Sequence, residues 1–94
     1  MQPDDFIWLT DIVDKIKREH QVEPYEVEEV FAGRPRIFRG PKGHYPGEDV
    51  YYASGSTDAG RYLFIVYIKK RDRRALILSA RDMTLKERRR FGRK

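Results

Sequence analysis

The 94-residue chain contains no cysteine, which excludes a disulfide framework and any thiolate metal site. Histidine is almost as scarce. His20 and His44 form no recognisable metal-ligand spacing with the acidic residues, so neither a metal nor another cofactor is expected. No apolar run approaches the roughly 20 residues that a membrane span needs. The longest, Tyr62 to Ile68, is strand-sized. The opening MQPDDFIW carries acidic residues where a signal peptide carries basic ones, so a soluble, cytoplasmic protein without a membrane partner is expected. A glycine-rich phosphate loop of Walker or Rossmann type is missing, and Ser79 stands in no nucleophile-elbow context. Nucleotide hydrolysis by a P-loop and serine-type hydrolysis are thereby set aside. Internal repeats, low-complexity linkers and domain boundaries are also missing, so residues 1–94 are read as a single domain.

Charge, by contrast, is abundant: 37% of residues are charged and the net charge is +5. The two signs are segregated. Residues 1–33 hold three basic and nine acidic side chains, a net −6, and residues 34–94 hold seventeen basic and six acidic ones, a net +11. A strongly basic rear portion points to a polyanionic or acidic partner, or to a solvated surface kept soluble by charge.

Hydrophobic patterning gives the order of elements. Phe6-Ile7-Trp8-Leu9 reads as a short first strand. Thr10 or Asp11 is placed to cap a helix running to about Glu19, with Ile12, Val13 and Ile16 on one face. Pro24 suits the first position of a second helix, whose core stripe is Val27, Val30 and Phe31 and whose stop is Gly33. Strands are then expected at Arg36–Arg39, Asp49–Ser54, Arg61–Lys69 and Arg74–Ala80. A glycine- and proline-rich loop lies at residues 40–47, and a hairpin connection at Gly55–Gly60. Thr84 and Glu87 match a capping box for a last short helix, Leu85 to Phe91. Helices followed by hairpin-linked strands imply an α+β fold: an antiparallel sheet with two N-terminal helices on one face and a short C-terminal helix. The central strand is apolar on both sides, so the sheet's second face is a candidate binding surface.

Three segments carry a family likeness: His20 to Phe31 (HQVEPYEVEEVF), Gly55 to Tyr67 (GSTDAGRYLFIVY) and Ile77 to Arg88 (ILSARDMTLKER). Together with Phe6 and Trp8 they resemble the BrnT toxins, RelE-like ribonucleases paired with a BrnA-type antitoxin. The resemblance implies a RelE-like fold, RNA cleavage that halts translation, and neutralisation by a DNA-binding antitoxin, so that DNA is met only through that partner. A dimer or a toxin–antitoxin hetero-oligomer is the expected assembly. Several positions depart from the family pattern. Leu9 replaces an aspartate, Ile16, Glu19 and Gln21 replace the asparagine, lysine and glycine around His20, Val50 stands where an arginine is common, and Phe91 stands in place of a tyrosine. These departures bear on activity more than on fold.

RNA can be cut without a metal when its 2′-hydroxyl attacks the adjacent phosphate, given a base, an acid and positive groups on the phosphorane. Arg61 and Arg81 are the first candidates for those positive groups. Each ends a predicted strand, each matches a basic position of the family, and a guanidinium can hold two phosphate oxygens. Both are also ordinary places for a surface arginine on a hairpin or a cap. His20 suits acid–base work near neutral pH, although a histidine at a helix end often serves only the helix dipole. His44 has no motif match. Lys69, Lys70, Arg71, Arg73 and Arg74 crowd one turn, and Lys86, Arg88, Arg89, Arg90, Arg93 and Lys94 crowd the C-terminus. From these, Lys69, Lys70, Arg71, Arg73, Arg74, Arg88 and Arg89 are the expected RNA-binding residues, with tyrosines and Phe91 near enough to stack on bases. Three readings follow. The first is an endoribonuclease toxin, and the second a non-catalytic RelE-fold protein that binds RNA or an antitoxin and acts in transcriptional regulation. The third is an RNA-binding module unrelated to toxins, which, unlike the first two, predicts no cognate small gene beside its own.

Overall fold

The computed structural model describes residues 5–40 and 48–92. The expected loop at residues 40–47, with His44, therefore lies almost wholly outside the described residues. Eight elements follow one another: β1 (Asp5–Ile7), α1 (Thr10–His20), α2 (Pro24–Ala32), β2 (Arg36–Arg39), β3 (Val50–Ser56), β4 (Tyr62–Lys69), β5 (Arg74–Asp82) and α3 (Leu85–Gly92). The strands form one sheet in the order β1-β5-β4-β3-β2. The α+β class is as the sequence implies, with one difference. β2 to β5 are antiparallel, but β1 runs parallel to β5, with Phe6 opposite Ala75. A parallel pair needs no hairpin, so no turn in the sequence announces this pairing. No described helix is long and apolar enough to cross a membrane.

α1 lies over β5, and α2 lies over β3 and β4. Between helices and sheet sits the core, in which Ile16, Val22, Val27, Val30 and Phe31 meet Leu63, Ile65, Tyr67 and Ile77. The sheet floor under the helices is built partly of small residues, Ala53, Ala75 and Ala80, all fully buried. They let the helices approach closely, and Gly55 takes this furthest. A Cβ there would stand 2.8 Å from Val30 Cγ1 and 3.4 Å from Pro35. Gly55 is thus a strand residue required by close packing rather than the start of the hairpin connection, and β3 continues to Ser56.

The helix ends match the sequence in part. Pro24 occupies the first position of α2, and the amide of Gly33 closes its C-terminus on the carbonyls of Glu29 and Val30. In α3 the Thr84 amide donates to Glu87 Oε1 (2.9 Å) and the Glu87 amide donates to Thr84 Oγ1 (3.1 Å), completing the expected capping box. For α1 the expectation fails. Leu9 is the N-cap, no side chain caps it, and Thr10 and Asp11 are already helical. Asp11 still complements the positive helix N-terminus. The helix closes through Gln21, in the left-handed region at φ 53°. Glycine is favoured in that conformation, which is why the family pattern has glycine there.

A bulge sets which way β5 presents its last residues. Val66 pairs with Ser79 and Tyr67 with Ile77, so Leu78 is extra. Ile77 and Ala80, three apart, both face the core, and Arg81 falls on the opposite face, paired with Phe64. Strict alternation would have put Arg81 on the side of Ile77.

Gly55→Ala is expected to lower stability by about 1–3 kcal/mol through overpacking against Val30. Thermal unfolding should register this as a loss of roughly 5–15 °C.

Candidate nucleic-acid interface

The functional candidates gather where β4 begins and β5 ends. Arg61, just before β4, is the hub. Its Nε donates to Asp82 Oδ1 (2.7 Å) and Nη2 donates to Asp82 Oδ2 (3.1 Å) and to the His20 carbonyl (2.7 Å). Nη1 donates to the Gln21 carbonyl (2.7 Å) and to the Glu26 carboxylate (3.2 Å). All five N–H groups of the guanidinium are thereby engaged. Arg61 donates to the carbonyls of His20 and of the cap residue Gln21 at the end of α1, which no helical amide reaches, and ties them to α2 and β5. Its pKa is pushed further up, first by the hydrogen bond to Asp82, while the same contact holds the Asp82 carboxyl below its ordinary value.

Arg81 stands on the other face of the same sheet end. Its guanidinium lies 4.6 Å from the centre of the Phe64 ring. Glu87 grips it with both oxygens, accepting from Nη1 (2.8 Å) and Nη2 (3.0 Å), and Nη1 also donates to the Asp82 carbonyl (3.0 Å). The Arg81 hydrogen bond holds the Glu87 carboxyl below its ordinary value and raises the pKa of Arg81. Two residues back along β4, Arg88 of α3 lies 4.4 Å over the Tyr62 ring. Tyr62 and Phe64 share one face of the strand, so the two residues that carry these cations stand about 7 Å apart along it. Arg89 is exposed on α3.

Between α3 and the outer face of the sheet lies a cavity of about 330 Å³. Phe38, Tyr52, Phe64 and Phe91 supply aromatic lining, and Arg36, Arg90 and Glu87 are among its polar groups. Arg36 lies 5.8 Å from the centre of the Phe91 ring, and Tyr52 and Phe64 are 5.2 Å apart.

The remaining basic residues are elsewhere. Lys69, Lys70, Arg71, Arg73 and Arg74 surround the β4–β5 turn, at the far end of the eight-residue strand β4, roughly 23 Å away. There Arg74 pairs with Asp72 (2.7 Å) and Lys70 with Glu48 (3.3 Å). The structure therefore joins Arg61 to the His20 carbonyl on the helix side, sets Arg81 and Arg88 on the outer face of the same sheet end, and leaves the turn cluster apart. Tyr67, buried under the helices, has its hydroxyl pKa pushed up to about 12 by desolvation, so it is no candidate base. Among the described residues, no group of three or more His, Asp or Glu side chains is placed to hold a metal ion.

Sequence reasoning missed Arg36, Phe38 and Ser54 as parts of this surface. They reach it through the register that sets Arg36 opposite Ser54 and Phe38 opposite Tyr52. No local signal specifies that register, although the alternation of Arg36 and Phe38 around the core-packed Ile37 hints that they share the outer face.

A family model described as the ribonuclease toxin, BrnT, of type II toxin–antitoxin systems matches residues 9–87. The chain belongs to the BrnT family. Among curated proteins there is no match. The BrnT match spans both arginine centres and both of their glutamates, and it ends at Glu87, before Arg88, Arg90 and Phe91. Membership in a type II toxin family implies an antitoxin protein as partner.

Two results are expected from this geometry. Arg61→Lys cannot supply five planar donors, so it should cost about 2 kcal/mol, with most of the loss from the Glu26 contact and the α1 carbonyls rather than from the largely exposed Asp82. Chemical denaturation of the folded variant measures it. Glu87 and Asp82 carry folded-state pKa values below their unfolded ones. Their contribution is present above the unfolded values and is lost as pH falls through the folded ones, below about pH 4. Stability of the wild type should fall there, and Glu87→Gln should show a shallower fall between pH 5 and about pH 2.

Proposed function

We propose that this BrnT-family chain is a metal-independent endoribonuclease that cuts cytoplasmic RNA, thereby inhibiting translation, and that a BrnA-like antitoxin restrains it. The observation that carries the reading is the pair of arginines, Arg81 on Phe64 and Arg88 on Tyr62, side by side on the outer sheet face. A phosphodiester lying across them receives positive charge from planar groups seated on aromatic rings, and donors placed in advance stabilise a phosphorane. In Arg81, Nε–H and one N–H of Nη2 make no hydrogen bond among the described residues, so they are available to phosphate oxygens. In the reaction the 2′-hydroxyl loses its proton to a base, its oxygen bonds to phosphorus, and the 5′-oxygen leaves and takes up a proton. His20 is the residue proposed for one of those transfers.

Arg61 has a different role in this reading. With every N–H committed, it is a positioning residue that holds the end of α1, and with it His20, against β5. The basic turn from Lys69 to Arg74 contacts flanking phosphates of a longer RNA at a distance from the scissile bond. DNA is reached only through the antitoxin. The same commitments of Arg61 and Arg81 favour the second reading, a non-catalytic member of the fold that binds RNA or its antitoxin in transcriptional regulation.

Purified protein incubated with end-labelled RNA in excess chelator separates the two. Cleavage should persist, leave a 2′,3′-cyclic phosphate, and fall roughly 100-fold in Arg81→Ala and in Arg88→Ala. Induced expression in a bacterial host should stop growth only with the active forms. A folded wild type that leaves RNA and growth untouched would overturn the catalytic reading in favour of the binding-only one.

A further inference from the structure

We infer that Glu87 is the general base of the cleavage, taking the proton of the attacking 2′-hydroxyl on Oε2 while Arg81 holds the adjacent phosphate. The inference rests on the ribonuclease reading above and adds the group that starts the reaction.

The two oxygens of Glu87 are unequally used. Oε1 accepts twice, from Arg81 Nη1 (2.8 Å) and from the Thr84 amide (2.9 Å). Oε2 accepts once, from Arg81 Nη2 (3.0 Å). Each carboxylate oxygen has two lone pairs, so among the described residues Oε2 keeps one acceptor site open. Beside it, Arg81 keeps its Nε–H and one N–H of Nη2 open. An acceptor with room thus stands 3.0 Å from a donor with room. RNA carries the complementary pair, a 2′-hydroxyl next to a phosphate, with the attacking oxygen about 3–3.5 Å from the phosphorus in a reactive pose.

Position singles out this carboxylate. Glu87 is the one acid among the described residues that line the cavity between α3 and the outer sheet face. Asp82 and Glu26 are committed to Arg61 on the helix side. The Thr84 amide fixes the Glu87 carboxylate at the start of α3 before any substrate arrives. Its carboxyl lies below the ordinary value because of the Arg81 contact, so it is ionised at neutral pH. A carboxylate is a weak base, but a hydroxyl becomes far more acidic as its oxygen bonds to phosphorus, and positive charge on the phosphorane favours that bond.

The step balances. The 2′-hydroxyl proton passes to Glu87 Oε2, and the oxygen pair left behind forms the bond to phosphorus. The bond from phosphorus to the 5′-oxygen breaks, and that oxygen takes a proton from His20 in the reading above. The products are a 2′,3′-cyclic phosphate and a 5′-hydroxyl, and solvent returns the proton from Glu87 to His20. On protonation Glu87 loses the charge with which it competes for Arg81, so the guanidinium turns its full charge to the phosphorane as negative charge develops there.

Glu87→Gln keeps the size and an acceptor for the Thr84 amide but takes up no proton. Folded by circular dichroism, it should cleave at least about 100-fold more slowly. It should bind 2′-O-methyl RNA, whose blocked hydroxyl cannot attack, at least as tightly as wild type, since a negative charge beside the phosphate is gone. Added formate should restore cleavage to Glu87→Ala and leave the wild type unchanged. A substrate with sulfur in place of the leaving 5′-oxygen departs without protonation, and the Glu87→Gln defect should persist on it. Disappearance of the defect on that substrate makes Glu87 the acid and overturns the inference. So does a loss of RNA affinity as large as the loss of rate, the mark of a residue that only orients Arg81. A folded variant that cleaves as fast as wild type, or faster, overturns it while leaving the ribonuclease reading standing. A wild type that cuts no RNA removes that reading, and the inference with it.

Discussion

Two glutamates, each at the third position of a helix, carry a double duty on which the functional end of the molecule depends. Glu26 accepts the Glu23 amide at the start of α2 and also meets Arg61, while Glu87 accepts the Thr84 amide at the start of α3 and grips Arg81. A carboxylate at a helix N-terminus is held both by the free amides and by the helix dipole. That fixes its oxygens before any arginine arrives. Each arginine is then oriented by a group that the backbone has already placed, and each helix start is locked to the sheet by the arginine. The α2 pairing serves the framework, since Arg61 has no donor left over. The α3 pairing leaves part of Arg81 open to the outer face.

The bulge at Leu78 makes this division possible. Without the extra residue, Arg81 would follow Ile77 into the helix-covered side. With it, Asp82 meets Arg61 on one side and Arg81 lies against Phe64 on the other. One irregular residue therefore separates a structural arginine centre from an exposed one within a single strand.

Much of this was legible in the sequence because it is locally encoded. Pro24, the Thr84–Glu87 spacing and the apolar run of β4 each announce their element, and the resemblance pointed to Arg61 and Arg81. What was not legible depends on strand register. The parallel seat of β1 beside β5, the approach of Val30 to Gly55 and the arrival of Arg36 and Phe38 beside Tyr52 all arise from pairing between distant segments. The spacing of the basic residues was hidden for the same reason. Lys69 to Arg74 and Arg88 to Arg89 look like one charge reservoir in composition, yet β4 sets them at opposite ends. The Leu9 cap was missed because Thr10 and Asp11 have the right chemistry one or two positions too late.

The hydrophobic core lies wholly on the helix side of the sheet. Substitutions on the outer face therefore empty no core cavity and force no repacking of the helices. The fold acts as a fixed frame with one rewritable surface, on which a lineage can retune what it grips, position by position, while the frame stays folded.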